Sequence, residues 1–197
     1  MGRPPKPIIT KEGAARAALA VIDEQGLEGL SLGLVARRLG VKAPSLYYHF
    51  KDKAALLAEV ARIILLDVKV PKIAADSDWR EILVKLLLAT RRSLLQHPQA
   101  APLMLQFFPR YLLLASYDRW ISIYQAPPAV HMTIIEGLEK LTFGSALFAA
   151  TRTTRGVNTM PKFDPVKLPR LAQAVQANRL SDEGLFEATV RRFLSAF

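Results

Sequence analysis

SLGLVARRLGVKAPSLYYHFKDK, residues 31–53, is the stretch whose reading decides the fold. It reads as two short helices joined by a tight turn. Ser31 is placed to cap the first, because a serine hydroxyl takes a free backbone N–H of the first turn. Leu34, Val35 and Leu39 recur at helical spacing and give that helix one apolar face. Gly40 falls where the helix must stop, since glycine enters the left-handed conformation that closes a helix end. Val41 plugs the turn, and Pro44 suits the first turn of the second helix, where a missing N–H costs nothing.

The second helix is expected over about residues 43–49. Leu46 and Phe50 are four apart and can face the core, which leaves Lys42, Ser45, Tyr47, Tyr48 and His49 largely on other faces. A short helix that shows hydroxyls, rings and a cation, held against another by a glycine turn, has the form that enters a DNA major groove. The same spacing also fits an ordinary helical hairpin with a wet outer face, and spacing alone leaves both open.

The runs Gly29-Leu30-Ser31, Leu39-Gly40-Val41 and Ser45-Leu46-Tyr47-Tyr48-His49-Phe50-Lys51-Asp52-Lys53 closely resemble the DNA-binding region of the tetracycline-repressor (TetR) family. The resemblance is strong over about residues 9–57 and looser beyond. It implies a ligand-responsive transcriptional regulator, a repressor as a rule, that binds a palindromic operator as a homodimer and is released by a small, largely apolar effector. It also implies an N-terminal domain over residues 1–51 and an all-helical effector-binding and dimerisation domain over 52–197. Carried onto this sequence, Lys42, Ala43, Pro44, Ser45, Tyr47, Tyr48 and His49 would approach bases or phosphates, with Ser31 and Lys53 holding the flanking backbone. Tyrosine hydroxyls can donate to phosphates and an alanine methyl can touch a thymine methyl. Gly33 stands where the family's tetracycline repressors carry a base-reading arginine, and Ala43 stands for a polar residue. Direct readout is therefore expected to be thinner, with more specificity from Arg37 or Arg38, the N-terminal arm or DNA shape.

Composition bounds the rest. The chain has 197 residues, 51% of them apolar, and Leu and Ala dominate over β-branched runs, so an all-α fold with a substantial core is expected. Its net charge of +10 suggests an anionic partner. Residues 1–53 hold nine Lys/Arg against five Asp/Glu, so +6 lies outside the reading head and basicity alone says little. With no cysteine, neither a disulfide framework nor a thiolate metal site is expected, and no metal or cofactor is implied. The opening MGRPPKPIITKEG lacks an apolar signal core and no stretch is apolar enough to span a bilayer, so a cytoplasmic location without membrane contact is expected.

Residues 1–9 read as a cationic arm, with Arg3 and Lys6 among three prolines; it either follows the DNA backbone or is a solubilising tail. A bracing helix should run from the Thr10 cap to about Gln25, closed by Gly26. A fourth helix, capped by Asp52, should reach about Val70 before Pro71 and link the two domains mechanically. Further helices are expected over about 78–97, 99–108, 109–125, 129–152, 168–178 and 182–197, with a loop over 153–165.

Catalysis finds little support. His49, His97 and His131 are far apart in sequence, and HExxH, CxxC, GxSxG and phosphate-cradling glycine loops are missing. The region after residue 71 is rich in rings and thioethers that suit an irregular apolar effector. Met104, Phe107, Phe108, Tyr111, Tyr117, Trp120, Phe143 and Phe148 are candidates, with His97 and His131 as orienting polar groups. Each of them would serve equally as plain helical core. Gly137, Gly144, Ser145, Ala149 and Ala150 leave room for a close neighbour, and Phe186, Val190 and Phe193 supply bulk. The resemblance implies that helices 129–152 and 182–197 of two chains form a four-helix bundle. A helical small-molecule sequestering protein without specific DNA recognition is the alternative reading.

Overall fold

The computed structural model describes residues 9–70, 72, 77–158 and 160–197, and among these it contains ten helices and no strand. The arm with Arg3 and Lys6, and most of the linker after Val70, lie outside the described residues.

Helix α1, Lys11–Gly29, starts where Thr10 Oγ1 accepts from the Gly13 N–H at 2.9 Å. Gly26, at φ +75°, breaks it where the sequence indicated, and a short turn brings Leu30 into the core. Helix α2, Leu32–Arg38, is capped by Ser31, whose hydroxyl accepts from the Leu34 N–H at 3.2 Å. Its far end closes by paired backbone bonds, Val41 N–H to Ala36 C=O at 3.0 Å and Gly40 N–H to Arg37 C=O at 3.1 Å. This closure needs the left-handed φ of +67° at Gly40. No atom lies within 4 Å of a Cβ built there, so a substitution meets only backbone strain. Gly40→Ala should therefore cost about 1–2 kcal/mol and Gly40→Asn distinctly less, since Asn tolerates this conformation. Chemical denaturation checks the order, and equal losses would mean that the closure is not limiting.

Helix α3, Pro44–Tyr47, is shorter than the expected 43–49, with turns completing its ends. Helix α4, Lys53–Leu66, is capped by Asp52, which accepts from the Ala55 N–H at 2.7 Å. It stops short of the expected Val70. Ser93 Oγ donates to the Ile64 carbonyl at 2.9 Å, occupying an acceptor that a further turn would use. Asp67, at the C-terminal cap, is held by the Arg16 guanidinium at 2.7 and 3.0 Å.

That fork pulls the Asp67 carboxyl below its ordinary pKa. A depressed carboxyl pKa stabilises the fold at neutral pH, and the gain is lost as pH falls through the folded-state value, below about 4. The pair is roughly half exposed, so the effect is small. Asp67→Asn should flatten the acid limb of a Tm-against-pH curve; an unchanged limb would mean the fork contributes nothing.

The remaining helices are α5, Trp79–Gln96; α6, Leu103–Gln106; α7, Pro109–Ile121; α8, Pro128–Arg155; α9, Pro169–Ala177; and α10, Asp182–Leu194. Helix α6 is one turn rather than the expected ten residues, α7 is kinked at Leu113, and α8 runs to Arg155 before closing at Gly156 with φ +64°. One core joins α1–α4 to the end of α5, α6 and Ala146 of α8; a second joins α5, α8 and α10 around Trp79, Leu83, Ile134 and Phe186. The reading head thus shares its core with the helical domain. Arg91 is almost fully buried. Its guanidinium pairs with Asp182, donates through Nε to Ser145 Oγ at 2.9 Å and lies 5.4 Å from the Phe186 ring centroid, tying α5 to α8 and α10.

Candidate nucleic-acid interface and ligand cavity

On the head, Leu46 is the buried pin of α3 and Phe50 follows it into the core. The rest of the turn faces outward. Tyr47 is 57% exposed and Tyr48 94% exposed, which for rings of this size is unusual and leaves both hydroxyls accessible. Lys42 and Pro44 are exposed, whereas Ser45 and His49 are half-buried, the His49 ring tilted against Phe50. Arg37 is exposed and makes no ion pair among the described residues; Arg38 is bound to Glu24 at 2.8 Å and braces α2 on α1.

Three residues expected at the DNA have other employment. Ser31 Oγ is engaged as a cap. Lys53 Nζ donates to the Leu30 carbonyl at 2.7 Å, fastening α4 to the chain that enters α2, although an ammonium retains further donors. Ala43 is half-buried against the head's core, so its methyl is partly withdrawn from the surface.

The helical domain encloses a cavity of about 280 Å³. The last turn of α4 (Leu65, Leu66), α5 (Leu83, Leu86, Leu87, Thr90), α7 (Leu113, Tyr117, Trp120) and α8 (Ile135, Leu138, Phe143) wall it with apolar groups. Of the ten side chains expected to meet an effector, Tyr117, Trp120 and Phe143 line this space. The other seven do not. Met104 and Phe107 pack in the core shared with the head, as their apolar side chains dictate. Phe108, Tyr111 and Phe148 stand on the outer surface, more than 60% exposed. His97 Nδ1 lies 2.8 Å from Asp23 Oδ2, bridging the helical domain to α1. His131 Nε2 is 2.8 Å from the Ala126 carbonyl and its ring stands edge-on to Tyr124.

A small set of polar groups interrupts the apolar wall. Glu139 accepts from Arg110, from Nε at 3.0 and 3.1 Å and from Nη2 at 2.6 Å, and from the Tyr117 hydroxyl at 2.5 Å. Arg110 also pairs with Glu136. Burial and then the bond to Glu139 push the Tyr117 pKa up; burial, aided by the Glu139 charge, pushes Tyr124 up to about 12. Both phenols are therefore neutral donors at neutral pH. Thr142 is buried in the wall, and its hydroxyl has no hydrogen-bond partner among the described residues. Thr142 and Glu139 were not singled out from the sequence; their signal was a polar residue recurring on the apolar side of α8.

Among the described residues, no cluster of His, Cys, Asp or Glu could hold a metal ion, and no helix is long and apolar enough to cross a membrane.

The head and the cavity together define a two-part, all-helical molecule with a tyrosine-bearing turn at one end. Residues 15–60 match the family described as bacterial regulatory proteins, tetR family. The chain is 40% identical over 89 residues to the tetracycline repressor protein class A from transposon 1721 of Escherichia coli, an alignment covering 44% of this chain and 40% of that protein. It thus spans less than half the length of that curated relative. Over nearly the whole chain the fold is shared with solved structures. One, of a possible TetR family transcriptional regulator from Streptomyces coelicolor, superposes with a TM-score of 0.78 at 20% identity, covering 95% of this chain and 98% of that one. Another, the Streptomyces coelicolor TetR family protein ActR in complex with actinorhodin, gives 0.77 at 20% identity and 96% of both chains. Over residues 15–60 this chain is thus similar to the tetR family of bacterial regulatory proteins, and over nearly its whole length it shares the all-helical fold of these structures.

Proposed function

We propose that the protein is a ligand-responsive transcriptional regulator of the repressor type, binding a palindromic operator as a homodimer and released by a small, largely apolar effector. The observation that carries the reading is the pair Tyr47–Tyr48, standing free in solvent on a turn whose position is fixed by Leu46. Lys42 and Arg37 flank them as exposed cations. Phosphate contacts of this kind position the head, and base edges or DNA shape then supply specificity.

One turn of helix reads too few bases alone, which is the physical case for two copies. The surface offered to a second chain runs along α8 and α10. Phe148 and Leu185 are exposed there, and a Cβ added at Gly144 would meet nothing within 4 Å. Phe186 and Val190, expected in that interface, are instead buried within the chain, and Gly137 makes room for its own Phe193.

Helix α4 joins the two sites. It begins beside the recognition turn at Asp52 and its last turn, Leu65 and Leu66, walls the cavity about 21 Å away at 1.5 Å per residue. A cavity ligand that favours one setting of α4 changes the spacing of two heads, and so the fit to successive grooves. The actinorhodin complex of ActR supports a receptor role for the helical domain.

Selection from random duplex DNA tests the reading. It should enrich an inverted repeat whose half-site centres lie about 34–36 Å apart, with two chains per site. Enrichment of no sequence, with weak binding abolished by salt, would contradict it in favour of a sequestering protein.

A further inference from the structure

The cavity wall is mainly apolar, and the hydrogen-bonding capacity left unused on it belongs chiefly to donors. The one carboxylate lining it among the described residues, Glu139, is saturated by Arg110 and Tyr117. Arg119 also lines the cavity, is exposed at its mouth and makes no ion pair among the described residues; its Nη2 reaches only Ser116 Oγ, at 3.2 Å. The Trp120 indole N–H and the Tyr124 hydroxyl are further donors carried by lining residues. Thr142 adds a buried hydroxyl without a partner, and rotation about its χ1 exchanges that hydroxyl with the methyl group at the wall. An indole can only donate, a guanidinium can only donate, and a phenol held in its neutral form donates readily.

We infer that the effector is an aromatic molecule bearing acceptor oxygens, with an anionic group such as a carboxylate at the Arg119 end and a carbonyl or ether oxygen at the Thr142 end. This rests on the cavity being the effector site. A cationic amphiphile is disfavoured, because the only lining carboxylate among the described residues is already neutralised and Arg119 adds a positive charge. The apolar aliphatics of α4 and α5 take the ring face, and the donors of α7 and α8 read its oxygens. Thr142 then gains in the complex the partner it lacks in the free protein.

The test compares three probes sharing one ring, 1-naphthoate, 1-naphthamide and 1-naphthylmethylammonium, titrated calorimetrically into wild-type, Arg119→Gln and Thr142→Val protein. The expected order is naphthoate, then naphthamide, then the ammonium, with naphthoate about tenfold tighter than the ammonium, as charge-assisted bonds at a partly exposed site allow. Arg119→Gln should collapse the naphthoate advantage and spare naphthamide. Thr142→Val should weaken both oxygen-bearing probes while leaving the Tm of the free protein unchanged or raised, since it removes a buried hydroxyl that has no partner. Equal binding of all three probes, or an advantage that survives Arg119→Gln, would overturn this effector class while leaving a receptor cavity in place. Failure of every probe to bind at millimolar concentration would overturn the receptor role along with it.

Discussion

Replacing Tyr47 and Tyr48 together by alanine is expected to lower affinity for the selected operator about 10³-fold. Each hydroxyl is free to bond a phosphate oxygen, and a hydrogen bond to a charged group is worth about 1.5–3 kcal/mol. Neither ring is part of the core, Tyr48 being almost entirely in solvent. The thermal midpoint should therefore stay within about 2 °C, as for surface substitutions away from structural features. Anisotropy titrations beside a melt separate the two effects. A loss below tenfold would move the phosphate contacts to other residues of the head. A large fall in melting temperature would instead show that the rings hold the turn in place.

The opposite behaviour is expected at Leu46, one residue before Tyr47. Leu46 is fully buried, and α3 has only four residues of regular helix, so this side chain is its principal anchor. Leu46→Ala should cost about 3 kcal/mol through lost transfer energy and the cavity left behind. For a chain of this size that is a fall of roughly 6–12 °C in melting temperature. Operator binding should fall with it, because the turn bearing Tyr47 and Tyr48 loses its seat. Leu46→Met, which nearly conserves volume, should recover most of both properties. If Leu46→Ala melts like the wild type, the recognition turn is not held from within and the packing described for the head is wrong.

The contrast between adjacent positions also shows what the sequence could and could not reveal. The head was legible because its signals are local. Ser31, Gly40, Pro44 and Asp52 each do a job set by backbone chemistry within four residues, and the structure places all four in those jobs. The inward and outward faces of α3 follow from the spacing of Leu46 and Phe50 in the same way. The end of α4 was not legible. Ser93, 29 residues further on, takes the Ile64 carbonyl, and Arg16, 51 residues back, takes Asp67.

The cavity was least legible of all. Rings and histidines were expected to mark it, yet leucine is the commonest residue of its wall, and periodicity assigns leucine to core. Whether an apolar side chain fills a core or borders a space depends on how α4, α5, α7 and α8 are set against one another. His97 shows the converse, a polar side chain expected to orient an effector that instead grips Asp23 of α1. Helices α8 and α10 were only partly legible for a related reason. Small and bulky residues on α8 and α10 do complement each other, as anticipated, but Gly137 and Phe193 do so within a single chain.

Fluorescence anisotropy with the selected inverted repeat and a scrambled duplex, at a fixed salt near 150 mM, tests the central claim most directly. The expected result is a specificity ratio above about 10³, within the range of dedicated DNA-reading proteins, with two chains bound per site. Equal affinity for the two duplexes, falling steeply and in parallel as salt rises, would show nothing more than counterion release and would contradict it.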